Sequence, residues 1–350
     1  MTGVAPGRVN LIGEHLDYNG GRCLPMALTH ATTARVTLRD DDRVLVTSGS
    51  RTWDGTLDQL EEADPWALYV TGVLVALGVR QGVEVEITSD VPIGAGLSSS
   101  AALECSVAMA LDTALGLGLS PAQLVEACVR AESETVGAPT GGLDQAIAIL
   151  GKAEHALLID FATGRHEQVP FDPGAHGLSL LVIDTRVSHT LTDGGYESRR
   201  NDAWAAAEQL GLDKRALASA ASTGALAGRL QRRARHVLTE VVRVDEFVAA
   251  LRADDWDSLG PLLDASHASL RDDYEVSCEE LDVAVETARQ AGALGARMTG
   301  GGFGGCVLAL VDSDRTDAVA AAVTDAFAAS GFDPPDAFVA TAEAGAHRVG

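Results

Sequence analysis

The stretch DVPIGAGLSSSAA, residues 90–102, limits the folding options of this chain more than any other. It follows VEVEIT (83–88), whose alternating β-branched residues predict a strand. It opens AALECSVAMALDTAL (101–115), whose apolar residues recur at three and four as in a helix. A strand passing through a glycine–serine loop into a helix gathers free backbone N–H groups and the positive end of the helix dipole at one point. Three consecutive serines add hydroxyl donors and a candidate metal ligand. This is a phosphate cradle that needs no net positive charge. It is neither GxxxxGK[ST], having no lysine, nor GxGxxG, and a plain turn capped by serine remains the alternative for the loop taken alone.

Strands are also predicted over 31–39, 43–48 and 155–161, and a helix over 122–136 that starts at Ser120-Pro121. The turn-rich PFDPGAHG (170–177) separates this half from a strand at 178–184, helices at 196–210, 229–253, 255–271 and 277–291, and a closing strand–helix–strand (305–311, 315–329, 337–342). The pattern is α+β with no βαβ alternation. The length of 350 residues favours two domains, divided here at 1–175 and 176–350.

An excess of 50 acidic over 26 basic residues, net -24, argues against nucleic acid and anionic membranes as partners. Any phosphate ligand must then be held by a local site. Five cysteines without metal-type spacing, no secretory signal and no apolar run of membrane length predict a cytoplasmic protein with free thiols.

Three further stretches carry chemistry. GRVNLIGEHLDYNGG (Gly7–Gly21) crowds hydrogen-bonding side chains between glycines. GAPTGGLDQ (137–145) puts Asp144 in the first turn of a helix, where the dipole favours a carboxylate that can orient a hydroxyl and accept its proton. RMTGGGFGGC (297–306) has five glycines in six positions, so its backbone must approach something closely; a ligand-facing loop is expected over a domain-facing one. Glu132 is permitted as a Mg²⁺ ligand, which needs only one or two carboxylates beside phosphate oxygens, but spacing does not select it over a solvated helix residue.

In their order along the chain these motifs resemble the GHMP family of small-molecule kinases. The first resembles the galactokinase signature, with Gly7, Arg8, Asn10, Ile12, Gly13, Glu14, His15, Asp17 and Tyr18 in register, and RRARHVLTE (232–240) and SLRDDYEVSCEELD (269–282) extend the likeness. The resemblance implies an α+β, two-domain GHMP kinase fold with the active site in the inter-domain cleft, the second domain helical and ferredoxin-like. It implies transfer of the ATP γ-phosphoryl group to the C1 hydroxyl of α-D-galactose. Asp144 would be the base and Arg8 the stabiliser of the transferring group. Glu14, His15, Leu16, Asp17, Gly141 and Tyr196 would form the sugar site, with the Leu16 side chain pointing away from the sugar. Gly94, Ala95, Gly96, Leu97, Ser98, Ser99 and Ser100 would bind ATP phosphates, with Trp66 beside the adenine. Ser100 and Glu132 would hold Mg²⁺. A monomer acting on sugar and ATP is implied.

Two departures stand out: few residues precede Arg8, and Leu16 stands where threonine is usual. Competing expectations are a kinase for N-acetylgalactosamine or arabinose, and a sensor that binds galactose and ATP without reaction. A metal-hydrolase reading of His15 and Asp17 lacks a second histidine at helical spacing.

Overall fold

A computed structural model describes residues 1–138, 140–187 and 195–349; Pro139 of GAPTGGLDQ and Asp193-Gly194 before Tyr196 lie outside them. The first half runs β1 (Thr2–Asn10), β2 (Arg22–Cys23), β3 (Pro25–Leu38), β4 (Arg43–Ser48), β5 (Arg51–Thr56) and helix α1 (Leu68–Ala76). It continues through β6 (Val83–Ser89), α2 (Ser99–Leu115), α3 (Pro121–Arg130), α4 (Leu143–Leu150), β7 (His155–Asp160) and β8 (Arg165–Pro170). The second half holds β9 (Leu178–Asp184), α5 (Gly195–Gln209), α6 (Gly228–Arg252), α7 (Leu259–Ser269) and α8 (Glu279–Gln290). It ends in β10 (Gly295–Thr299), β11 (Cys306–Asp312), α9 (Thr316–Ser330), β12 (Asp336–Ala340) and β13 (His347–Val349).

Among the described residues the strands form three sheets. The largest has the order β13-β1-β3-β6-β4-β5, the second β10-β11-β9-β12, and a small one β2-β7-β8. Helix α2 lies across β1 and β3, buried along most of its length because Ala, Val and Leu leave no polar face in its middle. Helices α7 and α8 cover β10, and α6 packs between α5 and α7. One apolar core sits under the first sheet, and a second joins the small sheet, the first motif and the helical half. The closing strand β13 pairs antiparallel with β1, so the last described residues lie on the sheet of the first half.

Three local differences from the sequence expectations position the site. The 90–102 loop ends sooner than expected, with α2 beginning at Ser99, so Ser99 and Ser100 occupy its first turn. The 122–136 helix changes at Ala131 into a wider π turn through Val136 that re-aims Glu132 into the protein. The first motif begins as a strand: Thr2 to Pro6 pair with β3, the register shifts between Pro6 and Arg8, and pairing resumes from Arg8 to Asn10. There the Arg8 N–H turns to the Leu97 carbonyl at 3.1 Å, tying the strand to the phosphate loop.

Candidate active site

Asp144 sits in the first turn of α4, and Arg8 grips it with two parallel hydrogen bonds, Nε to Oδ1 at 2.8 Å and Nη2 to Oδ2 at 3.0 Å. This two-pronged geometry is the strong form of an Arg–carboxylate pair. The third arm of the guanidinium, Nη1, donates to the Gly96 carbonyl at 2.5 Å. Ser98 donates its hydroxyl to Asp144 Oδ2. Ser98 holds the N-cap position of α2 at a left-handed φ of 60° and makes no cap hydrogen bond. The first-turn N–H groups of α2 therefore stay open toward the loop, as an anion cradle requires.

Behind this lies the candidate metal pair. Ser100 Oγ donates to Glu132 Oε1 at 3.1 Å. Glu132 is buried, and burial, with Asp144 adding repulsion, raises its pKa. Glu104 on α2 is fully buried close by; burial and then Glu132 push its pKa well up. Tyr69 of α1 stands near both, its pKa raised by burial and by the two carboxylates. Among the described residues no arginine or lysine pairs with Glu104 or Glu132, and no cluster of three or more His, Cys, Asp or Glu forms a self-sufficient metal cage. Hard oxygen donors without a cation fit a Mg²⁺ ion that takes its other ligands from phosphate and water.

Of the residues expected at the sugar, Asp17 lies against Gly141 and His15 against Tyr196. Asp17 opens a 3-10 turn over 17–19 and lies against Gly141; a Cβ on Gly141 would overlap the Asp17 carboxylate, so only glycine fits there. Burial pushes Asp17 up to about 6, with Asp144 adding to the rise. His15 is held at φ 62° while the Asn19 amide donates to its carbonyl at 2.7 Å. Its Nδ1 shares a hydrogen bond with the Tyr18 hydroxyl at 2.8 Å, which meets the Tyr274 hydroxyl at 3.0 Å. Its Nε2 has no partner among the described residues, and burial holds the ring well below the usual histidine pKa. The Tyr196 ring lies 5.6 Å from both, tilted against His15 and edge-on to Tyr18.

Glu14 stands differently from its expected role. Asn10, Thr299 Oγ1 at 3.0 Å and the Gly300 N–H all donate to it, and Arg297 lies 3.6 Å away. Burial pushes it to about 7 against the pull of Arg297 and the Gly300 N–H. In this state its carboxylate ties the first motif to β10, and a ligand would have to compete for it. Leu16 is fully buried, its side chain packed in the apolar core. Trp66 is half-buried against the core of the first half, and nothing described joins it to the phosphate loop.

The glycine run packs closely on protein at three positions: Cβ atoms would meet the Val276 carbonyl at Gly302, the Val187 carbonyl at Gly304 and the Ala95 carbonyl at Gly305. It is the seam between the phosphate loop and the second half, with Cys306 Sγ on the Ala95 carbonyl at 3.1 Å. RRARHVLTE also gains a local role. Its His236 and Glu240 point inward from one face of α6, His236 Nε2 reaching the Glu14 carbonyl at 3.2 Å and Glu240 Oε1 accepting the Gly13 N–H at 3.0 Å. Their spacing of four, close to Val237 and Val244 on an otherwise charged helix, was the available signal. Gln145, Glu104 and Thr299 were missed too; only the polar residue Glu104 inside an apolar helix pattern could have flagged one of them.

Comparison with known proteins agrees with this geometry. The GHMP kinases N terminal domain matches residues 68–152, GHMP kinases C terminal 247–329, and the galactokinase galactose-binding signature 1–38. Galactokinase of Streptomyces coelicolor is 45% identical over 360 residues, covering 99% of this chain and 93% of that protein. Galactokinase of Mycobacterium tuberculosis is 45% identical over 344 residues, covering 95% and 94%. The Lactococcus lactis galactokinase complexed with galactose superposes with a TM-score of 0.93 at 35% identity, over 99% of this chain and 95% of that one. Methanococcus jannaschii mevalonate kinase, at 18% identity over 98% of each chain and a TM-score of 0.71, shares the fold alone. The chain belongs to the GHMP kinases and, within them, to the galactokinase family.

Proposed function

We propose that the chain transfers the γ-phosphoryl group of ATP to the C1 hydroxyl of α-D-galactose, in a cleft between a first domain, 1–175 with the returning β13, and a second domain of the remaining residues. The observation that carries this reading is the bidentate Arg8–Asp144 pair, anchored to the phosphate loop through Gly96 and Ser98 and neighboured by Asp17 on Gly141. A carboxylate offers about four lone-pair sites. Arg8 and Ser98 occupy three of these on Asp144, which leaves one on Oδ1 for a substrate hydroxyl. Asp144 would then orient the C1 hydroxyl toward the loop and take its proton.

Arg8 would follow the negative charge that develops on the transferred group, while Asp144 and the Gly96 carbonyl hold the guanidinium still. The open N–H groups at the start of α2 would hold the phosphates. Asp17 and the free Nε2 of His15 would take sugar hydroxyls, with Tyr196 as the apolar wall. Ser100 and Glu132 would hold Mg²⁺, which supplies charge neutralisation on the phosphate oxygens. The five cysteines are unpaired, as suits the reducing cytoplasm. Among the described residues no helix is long and apolar enough to cross a membrane.

The test is ATP consumption across galactose, N-acetylgalactosamine, arabinose, glucose and mevalonate, with the product's phosphate located by ³¹P NMR. Turnover of galactose to the 1-phosphate is expected. Turnover of mevalonate and of no sugar would overturn the reading.

A further inference from the structure

The two oxygens of Glu132 have different partners. Oε1 faces Ser100 at 3.1 Å, toward the phosphate loop, while Oε2 accepts Nε2 of Gln145 at 2.6 Å. The same Gln145 nitrogen donates to Glu104 Oε2 at 3.1 Å. Thr140 Oγ1 donates to Gln145 Oε1 at 3.4 Å, which turns the amide so that its N–H₂ end faces the two carboxylates. Gln145 and Glu104 are both fully buried, and Glu104 Oε1 has no partner among the described residues. A buried carboxylate that answers to nothing except one amide is costly unless that amide has a task.

Covalent geometry gives the amide that task. Glu132 lies in the π turn after α3, a departure from regular α-helix of a kind frequent at functional sites. Gln145 belongs to α4, one residue after Asp144, and Glu104 to α2, one turn after Ser100. The Glu104–Gln145–Glu132 bridge therefore links the three elements that carry the base, the loop serines and the carboxylate. We infer that Gln145 is a positioning residue that aims Glu132 Oε1 at the metal, and that Glu104 is the anchor holding the Gln145 amide in place. This rests on Glu132 being a Mg²⁺ ligand, as in the reading above. Gln145 touches neither substrate nor metal in this role; it acts through Glu132.

The readout is ADP affinity by calorimetry with and without Mg²⁺, using the full chain and no sugar, so that turnover is not involved. The quantity of interest is the gain in affinity that Mg²⁺ brings. Gln145→Leu should cut that gain by about 10- to 100-fold, as loss of an outer partner does at metal sites, while metal-free ADP binding stays within about threefold. Glu104→Leu should reproduce the loss, and Glu104→Gln, which can still accept from Gln145, should keep most of the gain. The double variant Gln145→Leu/Glu104→Leu should be no worse than Gln145→Leu alone, because both act along one path.

An unchanged gain in Gln145→Leu overturns the inference. If Gln145→Leu does not fold, equal behaviour of Glu104→Leu and Glu104→Gln overturns it instead. Glu132→Ala separates the two levels. Retention of the Mg²⁺ gain there removes Glu132 as a ligand and the parent reading with it. Loss there beside an intact gain in Gln145→Leu removes the positioning role alone.

Discussion

Asp17 and Gly141 show how much one methyl group can decide. The Gly141 backbone lies where a Cβ would overlap the Asp17 carboxylate, so Gly141→Ala must push that carboxylate out of place. Loss of one well-placed hydrogen bond is worth about 1.4 kcal/mol, so the galactose KM should rise about tenfold while the ATP KM holds. Steady-state kinetics varying each substrate in turn check this, and an unchanged galactose KM would take Asp17 out of the sugar site. Arg8, Asp144, Ser98 and Asp17 stood out in the sequence because each lies in a short polar stretch close to glycines. Glu14 was legible as a site residue but not as a carboxylate already engaged by Asn10, Thr299 and Gly300, since two of these partners lie almost three hundred positions away. Leu16 shows the opposite limit: next to two polar site residues, its side chain belongs to the core.

Helix α6 reads as amphipathic and charged, yet its buried face acts on a distant loop. Glu240 accepts the Gly13 N–H, the Ser266 hydroxyl at 2.7 Å and Arg243 Nε at 2.7 Å. Burial would raise its pKa, but Arg243, with other cationic neighbours, holds it down to about 2. Glu240→Ala strands three donors at once, and removal of one partner from such a buried group costs about 3 kcal/mol or more. Denaturant unfolding should show that loss, together with a raised galactose KM as the Gly13–Glu14 turn loosens. A loss under about 1 kcal/mol would mean that the turn is held elsewhere. Helices such as α2 and strands such as β4 were predicted almost to the residue because period and composition agree over their whole length. The π turn at Ala131–Val136 was not, because its hydrogen bonds answer to tertiary burial of Glu132 and leave no mark in apolar spacing. Short or glycine-bearing strands, β5 and β10 among them, were missed for want of a period long enough to see.

At the scale of the whole molecule, the candidate site draws residues from both halves. Arg8, Asp17 and Asp144 come from the first half, and Tyr196, Tyr274 and Thr299 from the second. The glycine run at 300–305 brings the two within backbone contact beside the phosphate loop. The two-domain α+β architecture was readable from the chain length and the mix of elements, but the return of β13 to β1 was not, since three exposed residues carry no strand signal. The central claim is that this junction uses Asp144 to deliver a galactose hydroxyl to ATP. Its most direct measurement is rapid-quench single-turnover phosphoryl transfer in the wild type and in Asp144→Asn, with galactose binding measured separately by calorimetry. Transfer should fall at least ~10²-fold in the variant, with galactose affinity kept within a few-fold. Near-normal transfer by Asp144→Asn would contradict the account.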